Sequence, residues 1–114
     1  IRDFNLKYKN ILYFNKIIKG INKVKKLSRE PHPLVVKKLG MACSYPGTFE
    51  SSIHSILNSA NYKSAILKTV KAGGCSCSRA NFIGAYFAAL NGLKSIPKRW
   101  IKKTSVSKKI LNQM

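Results

Sequence analysis

The sequence predicts an all-α protein. Its apolar residues recur at helical spacing, no stretch alternates apolar with polar as a half-buried strand does, and no segment repeats. At 114 residues it has room for one modest core, burying about two thirds of the surface the unfolded chain exposes.

The elements follow in order. Residues 1–30 form a basic arm in which Ile11, Phe14, Ile18, Ile21 and Val24 fall on one stripe, while Lys16, Lys19, Lys23 and Lys26 lie mostly opposite. Pro31 and Pro33 end this amphipathic helix, since neither donates a backbone hydrogen bond and each biases its predecessor away from helical geometry. A short helix over Leu34 to Leu39 closes at Gly40. Thr48 is the expected N-cap of the next, with Glu50 in its first turn and Phe49, Ile53, Ile56, Leu57 and Ala60 as its buried face. Another begins at Asn61 and runs through Tyr62, Ile66, Thr69 and Val70 to Gly73-Gly74, where a left-handed backbone ends it. The helix from about Ser78 to Asn91 is apolar nearly all round (Phe82, Ile83, Tyr86, Phe87, Leu90), which predicts the central, most buried element. Pro97 opens a last short helix with Trp100 and Ile101, and Trp100 and Phe82 read as core. Residues 105–114 read as a flexible basic tail.

Charge narrows the function. Lys and Arg number 22 against three acids, a net charge of +19, yet 45% of residues are hydrophobic, so the charge sits on something that folds. With only Asp3, Glu30 and Glu50, the chain holds no calcium loop and no cage of several carboxylates. An odd count of three cysteines argues against a secreted disulfide framework and for a reducing, intracellular, cytoplasmic setting. The longest apolar run, Ala80 to Leu93, falls short of the roughly 18 to 20 residues a bilayer span needs, and no signal peptide is evident. The chain begins at Ile1, without methionine, which suggests the downstream piece of a longer protein.

The informative stretch is Ala72 to Trp100. A Gly-Gly turn feeds short polar side chains into the start of a buried helix, which suits presentation of ligands or backbone amides to a bound group. Gly73-Gly74, Ile83-Gly84-Ala85, Gly92, Ile96-Pro97 and Trp100 together resemble the C-terminal part of the ADP-ribosylglycohydrolase family, an all-α fold. The run Gly73-Gly74-Cys75-Ser76-Cys77-Ser78-Arg79-Ala80, with Pro46-Gly47-Thr48-Phe49 before it, is similar to the branch that includes the J-crystallins. The resemblance covers residues 31–104 and leaves the basic arm unexplained.

That resemblance implies a magnesium site in which two aspartates and a threonine ligate the ion. Cys75, Cys77 and Ser78 hold those positions here. Magnesium wants oxygen and a thiol is a soft ligand, so the resemblance implies no hydrolysis by this chain, no resident cofactor, and a structural or ligand-binding role. Gly73, Gly74 and Arg79 are the candidate contacts to an ADP-ribose-like ligand, with Arg79 facing either a phosphate or solvent.

Each feature has other readings. Cys75 and Cys77 could serve as soft-metal or redox ligands with Cys43, His32 or His54, although zinc spacing is absent; small buried thiols are the plainer reading. His54 could be catalytic or merely lie on a helix face. The lysines of the arm, with Tyr8, Tyr13 and Phe14, could bind nucleic acid or another polyanion, lie on an anionic membrane, or form a solvated face. A hydrolase active only in a full-length parent is the remaining alternative.

Overall fold

A computed structural model describes the backbone of residues 2–114 and the side chains from residue 10 onward. Asp3 and Tyr8, counted above among the acids and the aromatics of the arm, lie outside the described side chains. The elements are α1 (Arg2–Lys26), α2 (His32–Leu39), α3 (Gly47–Leu57), α4 (Tyr62–Lys71), α5 (Ser76–Asn91), a 3-10 turn (Leu93–Ser95), α6 (Lys98–Lys103) and α7 (Ser107–Leu111). No strand occurs among the described residues, as the helical spacing predicts.

Helices α3 and α5 form the middle. Helix α5 packs on α3 and α4, α2 bridges α3 and α4, and α1 lies against α3. The apolar core is small: Ile56, Ala65, Ile83 and Phe87, with Tyr62 and Ile66 packed against it. Asn61 caps α4 through a reciprocal box in which its side chain accepts from the Ser64 amide. Gly74 permits a close approach between loops. Its φ is +65°, and a Cβ there would lie 2.6 Å from the Met41 carbonyl oxygen, which accepts the Cys75 amide at 2.8 Å.

Burial departs from the periodic reading in several places. On α3 the covered side is Glu50, Ser51, Ser52, His54, Ser55 and Ile56, whereas Leu57 and Ala60 are exposed. Small hydroxyls and a histidine on the inner face find backbone carbonyls there: Ser55 donates to that of Ala65 on α4, Ser52 to that of Thr48 one turn back in α3, and His54 Nε2 lies against that of Leu27 after α1. Thr48 lies one residue inside the helix, Pro46 takes the cap, and the Thr48 hydroxyl donates to the Ala42 carbonyl.

Helix α5 is covered along Arg79, Ile83, Gly84 and Phe87 only. Phe82, Tyr86 and Leu90 on its other side are 40, 44 and 64% exposed. Its all-round apolar character outruns its neighbours, because α3 and α4 cover a single stripe. Phe82 is therefore not core; it meets Phe49 edge-on at 5.6 Å, and Trp100 is half-buried against Tyr62. On α1 the register of the stripe holds, but Val24 is buried, Ile21 half-buried, and Ile11, Phe14 and Ile18 exposed. Residues 107–111, read as part of a frayed tail, form helix α7.

Candidate functional site

Two neighbouring groups of side chains carry the chemistry, and Arg79 belongs to both. The first is the turn between α4 and α5. Gly73 and Gly74 adopt φ of +77° and +65° and deliver Cys75 to the N-cap of α5, followed by Cys77, Ser78 and Arg79 in its first turns. The Cys75 Sγ lies 3.1 Å from Ser78 Oγ and 3.7 Å from Cys77 Sγ. Hydrogen bonding from the Ser78 side chain, then from its backbone, then from Cys77, draws the Cys75 thiol down from 9.0 to about 7. The buried-thiol reading is corrected: Cys43 and Cys77 are exposed and Cys75 is half-buried, because the turn faces outward on the Met41 loop.

The second group is a buried polar run. His54 on α3 and His32 at the start of α2 place their Nδ1 atoms 3.0 Å apart. His54 Nε2 lies 3.1 Å from the Leu27 carbonyl oxygen, an acceptor only, so that nitrogen carries the proton. The Nδ1 of neutral His54 then accepts from His32 Nδ1–H. His32 Nε2 in turn accepts from the Thr69 hydroxyl at 3.4 Å, and Thr69 Oγ1 accepts from Arg79 Nε at 2.9 Å. Both imidazoles are neutral in this pattern. Burial, then the charges of His54, Arg79 and Lys68, pushes His32 down to about 4. Burial also lowers His54, partly offset by the hydrogen bond to Leu27.

Arg79 joins the two groups. It is fully buried, and its Nη2 donates to the carbonyls of both Thr69 and Gly73, leaving Nη1 without a partner among the described residues. The reading of Arg79 as a phosphate contact or a solvated charge is thus replaced by an internal brace that ties the Gly-Gly turn to the histidines. His54, read as a helix-face or catalytic histidine, is fully buried as well. The histidines meet each other and not the cysteines. Among the described residues no three His, Cys, Asp or Glu side chains converge on a point that could hold a metal. The pairing of His32 with His54 and the part of Thr69 escaped the sequence reading; the one hint was a histidine amid serines on a helix that had to bury something.

A helical layout with a Gly-Gly turn at its outer edge is what the family resemblance implies, and comparison with known sequences decides the matter. The ADP-ribosylglycohydrolase family model matches residues 5–114. The chain belongs to the ADP-ribosylglycohydrolase family. Among characterised relatives it is similar to crystallin J1A of Tripedalia cystophora, 38% identical over 76 residues, and to crystallin J1B of the same organism, 34% identical over 76 residues. The match takes in 67% of this chain and 24% of each crystallin, so the chain spans about a quarter of the length of the relatives it matches. No solved structure gives a significant match.

The magnesium expected of an ADP-ribosylglycohydrolase does not fit the donors present at the corresponding turn. Two thiols and one hydroxyl stand there, and the described acids are engaged elsewhere: Glu50 accepts from Lys23 at 2.9 Å and Glu30 from Lys38 at 2.6 Å. A hard cation finds no carboxylate in this cluster.

Proposed function

We propose that this chain is a helical part of a J-crystallin-like protein with a structural or ligand-binding role, and that it does not hydrolyse ADP-ribose linkages. The carrying observation is the donor set of the Gly-Gly turn: Cys75 Sγ lies 3.7 Å from Cys77 Sγ and 3.1 Å from Ser78 Oγ, with sulfur where magnesium chemistry needs oxygen. For the ligand-binding form of this role the ligand class is ADP-ribose-like, approaching the exposed Gly74 beside the electropositive N-terminus of α5. Titration with magnesium by calorimetry and an assay for released ADP-ribose test the reading. The expected result is no heat of tight binding and no product. Magnesium-dependent turnover by the unmodified 114 residues overturns it. The pair of changes Cys75→Asp and Cys77→Asp does not rescue activity on this reading, since Glu30 and Glu50 are paired with lysines away from the turn and supply no further carboxylate to it. In a full-length parent with its own upstream acids, the same pair restores metal binding.

A second reading rests on the arm. The side chains of Lys16, Lys19, Lys23, Lys25 and Lys26 are all exposed on α1, and the chain carries a charge of +19. Polyanion binding through phosphates follows from that field whatever the turn does.

A further inference from the structure

We propose that Cys75 and Cys77 form an exposed redox pair that exchanges with small anionic disulfides and closes into an intramolecular disulfide. This goes beyond the reading of the turn as a lapsed metal site and does not depend on it.

The two sulfurs face each other at 3.7 Å, with Cys77 exposed and Cys75 half-buried. Closure brings them to about 2.05 Å, a bonded sulfur pair. Cys75 stands at the N-cap with a non-helical backbone (φ −73°, ψ 68°), so its side chain is not held in the helical register of Cys77, while its amide donates to the Met41 carbonyl. A disulfide between residues two apart needs adjustable backbone on one side, and the Gly73-Gly74 pair directly precedes it. The small disulfide is drawn by charge. The protein carries +19, and the buried Arg79 lies within electrostatic reach of both cysteines.

The chemistry balances with a low-molecular-weight disulfide as oxidant. The Cys75 thiolate attacks one sulfur of that disulfide, whose S–S bond breaks; one half stays on Cys75 as a mixed disulfide and the other leaves as a thiolate that takes up a proton. Cys77, losing its proton to water, then attacks the Cys75 sulfur and expels the second half. Two protein thiols are oxidised by two electrons, and the small disulfide is reduced to two thiols.

The test treats the reduced full chain with oxidised glutathione near neutral pH, quenches with N-ethylmaleimide, and reads intact mass and peptide maps. The expected product has lost two hydrogen atoms, with Cys43 alone alkylated, and dithiothreitol reverses it. Cys77→Ser is expected to stop at one glutathionyl group on Cys75, Cys75→Ser to slow the loss of free thiol by about tenfold, and Cys43→Ser to leave the Cys75–Cys77 product unchanged. Raising the salt is expected to slow glutathione disulfide but not an uncharged disulfide. Three alkylated cysteines after long exposure overturn the proposal, as does a disulfide to Cys43 or a rate no faster in the folded chain than in urea. Equal salt response of the two reagents overturns the anionic substrate class. None of these results bears on hydrolysis, which the magnesium and product assays address separately.

Discussion

The Nδ1 of His32 lies 3.0 Å from the Nδ1 of His54, with the two rings within 12° of parallel and both histidines buried. One ring must donate and the other accept, so the pair tolerates no extra proton. Folded His32 takes a proton only near pH 4, whereas an unfolded histidine does so at 6.5. The contribution to stability is therefore complete above 6.5 and is lost as the pH falls from 6.5 towards about 4, at most about 3 kcal/mol for a group this buried. Urea unfolding followed by circular dichroism across that window is predicted to show the decline. His32→Gln is predicted to be less stable at neutral pH and to flatten the slope; an unchanged slope rules out His32 as its source.

Cys75 is predicted to be alkylated by iodoacetamide with a midpoint near pH 7, below the ordinary cysteine range. The Ser78 hydroxyl 3.1 Å from its sulfur is the largest cause. Ser78→Ala is expected to move the midpoint upward, and peptide mapping of the modified site against pH measures it.

Ile83 and Phe82 are adjacent on α5, one with no exposed surface and the other 40% exposed. Ile83→Ala is predicted to cost about 2–5 kcal/mol through the cavity it leaves. Phe82→Ser is predicted to cost far less and to lower self-association, because it removes apolar surface from a face shared with Tyr86 and Leu90. Urea titration and sedimentation velocity separate the two effects.

Binding of duplex DNA is predicted to be indifferent to sequence and to weaken steeply with salt. Changing Lys16 and Lys19 together to alanine is expected to reduce the slope of log affinity against log salt by up to about 2 if both contact phosphates. A sequence preference that survives high salt indicates a specific nucleic-acid interface and defeats the counterion account.

Helices α1 to α6, their order and the family were legible in the sequence because they rest on local signals, whereas α7 reads as tail. Pro31, Gly73-Gly74, Asn61 and Gly92 punctuate the chain, and the glycines at 73 and 74 do adopt the left-handed backbone their position predicts. The family motifs are likewise runs of neighbours, so Gly73 to Ala80 could be read directly. Burial was not local. Spacing placed Phe82, Tyr86 and Leu90 on a helix but not which side of it α3 and α4 would cover, and hydropathy favoured Leu57 over Ser51, Ser52 and Ser55 for the inner face of α3. The run from Leu27 through His54, His32 and Thr69 to Arg79 joins residues from α2, α3, α4, α5 and the loop after α1, and a hydrogen bond depends on distance in space, which only the packing of those elements sets. The sequence by itself determined the helical class and the soft donors at the turn; the tertiary structure decided that Arg79 is a brace, that the histidines are neutral partners, and that Cys43 and Cys77 face solvent with Cys75 half-buried, because each outcome follows from which neighbours remove water from a side chain.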